Sequence, residues 1–237
     1  MEKQLHRAFV IFLLMVVILP VPFSHGLPPR AGLKHSIVID PAHGGSDTGV
    51  KLSEKMYEKD VTLLMAVLLQ RELQKSERYQ VRLTRDADEE VSLSARAKTA
   101  KTFRPDIFIG LHVNAGFGKN SSGYELYFPG FNLPASSLSP PKNESSEILM
   151  DMTKNKYLNS SVRLSQSIQR NMERVFPRKS RGLRDAPIVI IKDLQIPAVV
   201  IEIGFATNAA DREKITDGDT QKAVVRALGN GIKEYFR

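Results

Sequence analysis

A chain of 237 residues with a formal charge of +8 and no cysteine holds its fold without disulfides and offers neither a thiolate metal site nor a cysteine nucleophile. The positive balance suits an anionic polymer or surface. It does not point to nucleic acid, because no basic cluster is interleaved with aromatics and no nucleic-acid motif occurs.

Residues 1–26 have the layout of a secretory leader. Lys3 and Arg7 precede the apolar run 8–19, which falls short of the roughly 20 residues a spanning helix needs. Pro20, Pro22 and the small residues flanking His25 follow. The expectation is an exported chain with a signal peptide over 1–26 and one domain over 27–237; an uncleaved N-terminal anchor is the alternative.

Ser36–Asp40 reads as a short buried strand that ends in a glycine-rich loop. Residues 58–74 are rich in helix formers, 80–84 alternate as a strand, and 92–103 read as a helix capped by Ser92. Asp106–His112 and Gly123–Phe128 follow as a third and a fourth strand. Residues 129–160 stand apart: eight of the thirteen residues from 134 to 146 are Ser or Pro, the mark of a loop insertion. Beyond it, 162–176 predict a helix, 186–191 and 198–204 two strands, and 223–236 a closing helix. Strands alternating with helices predict an α/β fold, a three-layer sandwich with a mainly parallel twisted sheet flanked by helices on both faces.

Two of the five histidines, His43 and His112, fall at the ends of predicted strands, where α/β sheets gather their ligands. Glu202 interrupts the apolar run Pro197–Phe205, and a buried carboxylate is costly unless paired or tied to a metal. Its functional reading is a general base beside a metal. Its structural alternative is an ion pair with an arginine such as Arg85 or Arg96. Glu58 opens the first long helix, where acids are favoured anyway, and position alone leaves Asp47, Glu54 and Asp60 as rival ligands.

The segments Ile37-Val-Ile-Asp-Pro-Ala-His-Gly-Gly45, Glu58-Lys-Asp-Val-Thr-Leu63, Leu83-Thr-Arg-Asp86, Leu93-Ser-Ala-Arg96, Asp106-Ile-Phe-Ile-Gly-Leu-His-Val-Asn-Ala115, Gly123-Tyr-Glu-Leu-Tyr127, Arg181-Gly-Leu183 and Pro197-Ala-Val-Val-Ile-Glu-Ile-Gly-Phe-Ala-Thr-Asn208 occur in that order. In this arrangement the chain resembles the zinc-dependent N-acetylmuramoyl-L-alanine amidases of the amidase-3 type across essentially all of 27–237. The resemblance implies hydrolysis of the amide between the lactyl group of N-acetylmuramic acid and the L-alanine of peptidoglycan. It implies one Zn2+ held by His43, Glu58 and His112, with Glu202 as the catalytic carboxylate. Asn114 and Arg85 enter as candidates for substrate-binding or supporting roles. A monomer in the periplasm or cell wall is expected, with peptidoglycan as substrate.

Some relatives carry, at the place of 129–160, a helix that covers the zinc site until a protein activator displaces it. Residues 144–154 suit such a helix, and a solvated loop bordering the glycan groove is the alternative. Two positions depart from the family pattern: Ala42 stands where glycine is usual, and Gly110 where serine is common. Ala42 would be strained only if its φ were positive. The rival readings are a non-catalytic wall-binding domain, which predicts a broken ligand set, and a different exported zinc hydrolase, which predicts other ligand spacings.

Overall fold

The computed structural model describes residues 34–116, 118, 120–130, 143–186, 190 and 195–237; the leader segment 1–26 and the residues 131–142 of the insertion lie outside them. The elements are β1 (His35–Pro41), α1 (Glu58–Gln74), β2 (Tyr79–Leu83), α2 (Leu93–Phe103), β3 (Ile107–Asn114), β4 (Tyr124–Pro129), α3 (Glu144–Met172), β5 (Ser180–Ala186), β6 (Ala198–Phe205), α4 (Ala209–Thr216) and α5 (Gly218–Tyr235). Six strands form one sheet in the order β2-β1-β3-β6-β4-β5. All neighbours are parallel except β4 and β6. The expected α/β sandwich with a mainly parallel sheet is what the chain forms.

Period-two alternation sorts each strand between two unequal layers. Ile37, Ile39, Ile107, Ile109, Leu111, Val199 and Ile201 face the larger core, which is completed by Met65 and Leu69 of α1, Leu164 and Ile168 of α3, and Leu228 and Ile232 of α5. Val38, Phe108 and Ala198 face the other way, into a small cluster with Ala100 of α2 and Ile190. Among the described residues the second layer covers far less of the sheet. By the same alternation Asp40, His112, Glu202 and Glu125 belong to this thinner side, so the fold leaves charged residues where the sheet is least covered.

Three expectations need correction. Ala186 ends a strand, β5 (Ser180–Ala186), rather than beginning one, and most of the strand expected over 186–191 lies outside the described residues. β5 is a polar edge strand, and edge strands need no apolar alternation. The helix expected at 162–176 starts much earlier, at Glu144, because Asn143 caps it by accepting from the Ser146 N–H at 2.9 Å while Ser146 Oγ accepts from the Asn143 N–H at 3.1 Å. The loop assignment of the insertion therefore fails from residue 144 onward. Helix α4, capped by Asn208, was not anticipated.

Candidate metal centre and its neighbouring carboxylates

Three loops and strand ends converge on Glu58. Its carboxylate is buried, with Oε2 3.0 Å from His43 Nε2 and Oε1 3.3 Å from His112 Nδ1. The Val113 N–H donates to Oε1 at 2.9 Å and the Val50 N–H to Oε2 at 3.2 Å. As the first residue of α1, Glu58 also sits at the positive end of the helix dipole. One ligand atom from each of His43, Glu58 and His112 lies within 4.8 Å of the others. Two imidazoles and a carboxylate suit zinc and leave a coordination position open.

His43 takes φ 59°, a left-handed conformation that costs on the order of 1 kcal/mol outside glycine. The surrounding contacts hold it there. Asp47 accepts from Nδ1 at 2.8 Å, fixing the ring so that Nε2 faces Glu58. The Arg96 guanidinium donates to the His43 carbonyl at 2.5 Å, to the Pro41 carbonyl at 2.7 Å and to Asp40 Oδ1 at 2.8 Å.

Arg85 is buried and donates to the carbonyls of Pro41, Ala42, Lys59 and Ala87. It pins the His43 loop to α1 and, among the described residues, makes no hydrogen bond to the side chains of His43, Glu58 or His112. Arg85 and Arg96 are thus committed elsewhere, and the alternative in which either neutralises Glu202 fails. The rival acids are likewise accounted for: Glu54 pairs with Lys51, Asp60 accepts from the Tyr57 N–H, and Asp47 orients His43.

Glu202 lies directly beside the cluster, in register with His112 on β3 and with Glu125 on β4. Its Oε2 is buried and has no hydrogen-bond partner among the described residues. Burial, reinforced by Glu58 and Glu125 against the pull of His112, raises its pKa from the ordinary 4.5 to about 7. The hydrogen bond that the His43 imidazole donates to Glu58 raises His43 to about 9. Burial opposes ionisation of Glu58, yet the two histidines and the Val113 N–H outweigh it and hold that carboxyl at about 2. Protons on the imidazoles thus do what a bound cation would do: they balance Glu58.

Asn114 does not reach the cluster among the described residues. Its Nδ2 donates to Glu125 Oε2 at 3.1 Å and its Oδ1 accepts from the Gly116 N–H at 2.7 Å. Ala42 is absent from the non-glycine residues with positive φ, so the strain considered for it does not arise. At Gly110 a Cβ would stand 2.9 Å from Val200 Cγ2, so Val200 fills the space a side chain there would need. Among the described residues, the first turns of α3 supply none of those lining the cleft before His43 and His112, whose walls include Val91, Leu93 and Ile190.

Reading the sequence missed Glu125 and the structural role of Gly49. Glu125 carries the signal used for Glu202, an acid inside an apolar strand. Gly49, with φ +65°, lies where a Cβ would collide with Glu58 and the His43 ring.

A family model described as N-acetylmuramoyl-L-alanine amidase matches residues 37–234. The chain is 30% identical over 202 residues to N-acetylmuramoyl-L-alanine amidase CwlM of Bacillus licheniformis, covering 84% of this chain and 68% of that protein. It spans 35% of the length of one curated relative and 90% of another. Among solved structures, the N-acetylmuramoyl-L-alanine amidase of Clostridium difficile 630 is 26% identical with a TM-score of 0.71, over 86% of this chain and 98% of that one. The CwlD amidase of Clostridioides difficile, solved with the GerS lipoprotein, shares the fold at 23% identity and a TM-score of 0.69, over 86% of this chain and 98% of that one.

Proposed function

The chain belongs to the N-acetylmuramoyl-L-alanine amidase family, and from that premise we propose that it hydrolyses the amide joining the lactyl group of N-acetylmuramic acid to the L-alanine of peptidoglycan. One observation carries the reading beyond family membership: a carboxylate with an orphaned buried oxygen, Glu202, stands next to a two-imidazole, one-carboxylate cluster. A non-catalytic wall-binding domain has no use for either feature.

His43, Glu58 and His112 fit zinc by their donor atoms, their convergence and the orienting bond from Asp47. A zinc ion bound there supplies Lewis acidity to water and to the acyl oxygen. Glu202 accepts the proton of the attacking water and returns it to the departing L-alanine nitrogen. Its near-neutral pKa suits both transfers, since a proton carrier works best with a pKa near the operating pH. The thin side of the sheet admits a polymer chain, and the positive charge of the protein favours an anionic wall.

Export through residues 1–26 and residence in the periplasm or wall belong to the same reading. So does a protein partner acting on 129–160: Ile148, Leu149 and Met152 stand exposed on α3, and the neighbour CwlD was solved with a lipoprotein. No helix among the described residues is long and apolar enough to cross a membrane.

The reading is tested by the bond that is cut. Digestion of purified peptidoglycan is expected to release intact stem peptides with a free L-alanine amine, seen by mass spectrometry of the soluble products. Release of sugar fragments, or of peptides cut internally, contradicts it.

Zinc uptake is expected to expel protons. His43 titrates at about 9 without metal, so at pH 7.5 it is protonated and must lose that proton to become a ligand. Calorimetry in buffers of different ionisation enthalpy should show at least one proton released per zinc. Affinity should rise about tenfold per pH unit for each proton lost, up to about pH 9. Binding that does not vary with pH between 6 and 8 contradicts the ligand role of His43.

A further inference from the structure

A row of charged side chains crosses the thin side of the sheet. From the metal cluster it runs through His112 on β3 to Glu202 on β6 and Glu125 on β4, each in register with the next. On β5 it ends in Arg181 and Arg184. Arg181 Nε donates to Glu125 Oε1 at 2.8 Å, and Arg184 Nη2 lies 3.3 Å from the same oxygen. The other carboxylate oxygen accepts from Tyr127 Oη at 2.7 Å and from Asn114 Nδ2 at 3.1 Å.

Glu125 is therefore saturated, and one negative charge faces two positive ones. Each guanidinium has five N–H donors, and Glu125 engages only one nitrogen of each. The Arg181 guanidinium is also held over the Phe205 ring, 5.1 Å from its centroid, so its donor fork is fixed in direction. The two side chains are 36% and 48% exposed. A pair needed only to fasten the edge strand would require one arginine. The second adds a positive charge that Glu125 alone does not balance among the described residues, one strand removed from Glu202.

We propose that Arg181 and Arg184 form a subsite for a carboxylate of the stem peptide, on the leaving-amine side of the scissile amide. The subsite rests on the amidase reading and names what that site recognises. The order of the row assigns the side. The metal cluster lies at one end, Glu202 protonates the departing nitrogen in the middle, and the peptide attached to that nitrogen continues toward β4 and β5. The chemistry of the substrate agrees. The glycan side is N-acetylated sugar whose lactyl carboxyl is consumed in the amide, so it presents no anion there. The peptide side carries a second residue linked through its γ-carboxyl, whose α-carboxyl is a free carboxylate in some walls and a carboxamide in others. A guanidinium fork binds the carboxylate through paired charged hydrogen bonds and loses that advantage with the neutral carboxamide.

The experiment compares two muramoyl peptides that differ only in that α-carboxylate or α-carboxamide, using the zinc-loaded protein and its Arg184→Gln variant. The native protein is expected to favour the carboxylate in kcat/KM by about tenfold to a hundredfold, mostly through KM. In Arg184→Gln the ratio should fall toward one. Equal rates on both substrates with the native protein overturn the subsite. So does a variant that slows both substrates by the same factor, which is the mark of a merely structural arginine. If neither substrate is cut, the amidase reading fails and the subsite with it; discrimination absent from an active enzyme refutes the subsite alone. Melting temperature and zinc content of the variant verify that it folds.

Discussion

Glu202→Gln is expected to lower turnover of peptidoglycan by about 10²- to 10⁴-fold while leaving zinc bound. Gln keeps the shape of the side chain and removes the proton acceptor, and no metal ligand is altered. The same substitution has a second readout in the metal-free protein. The folded pKa of Glu202 is raised to about 7 by burial, so the native state holds this proton more tightly than the unfolded chain does. Its contribution to stability is fully present below about pH 4.5 and is lost as pH rises through 7. Above that, the buried charge costs on the order of 3 kcal/mol, a cost that Gln avoids. Metal-free Glu202→Gln should therefore melt higher than the native protein at pH 8 and close to it at pH 4.5. Retained activity in the variant, or an equal melting difference at both pH values, sinks the role given to Glu202.

Gly49→Ala is expected to reduce zinc affinity by about a hundredfold with the fold retained. An added Cβ would stand 2.6 Å from Glu58 Oε2 and 2.6 Å from His43 Cδ2, closer than nonbonded atoms approach. The residue's φ of +65° adds a backbone penalty for any L side chain. Either Glu58 or the His43 ring must move, and displaced ligands or ligand supports weaken binding by ten- to a hundredfold. The strand framework lies elsewhere, so far-UV circular dichroism should match the native protein. Native zinc affinity in this variant would show that the loop does not set the ligand spacing.

What could be read from the sequence follows from burial. β3 and β6 are apolar runs interrupted by His112 and Glu202, and His43 stands in the loop just past the apolar run of β1, so element and candidate chemistry announce each other. His43, His112 and Glu202 were legible for that reason. Glu58 was not, from position alone. Its distinction from Asp47, Glu54 and Asp60 lies in a loop path set by left-handed His43 and Gly49, and backbone conformation leaves no trace in hydrophobic pattern. The family resemblance supplied what periodicity could not.

β5 escaped because its sequence, Ser-Arg-Gly-Leu-Arg-Asp-Ala, has one sheet neighbour and little to bury; the apolar residues after Ala186 drew the assignment instead. The start of α3 was obscured by the Ser- and Pro-rich run before it, although Asn143 and Ser146 spell a capping pair. Arg85, offered only for a substrate-binding or supporting role, spends its buried guanidinium on backbone carbonyls of the His43 loop and α1.

The most direct test of the whole account is the rate of stem-peptide release from peptidoglycan as zinc is added stepwise to the metal-free protein. The account predicts negligible release without metal and a linear rise that breaks at one zinc per chain, with no rise in Glu202→Gln. Full release from metal-free protein, or a zinc-dependent rise in Glu202→Gln equal to that of the native chain, would contradict it.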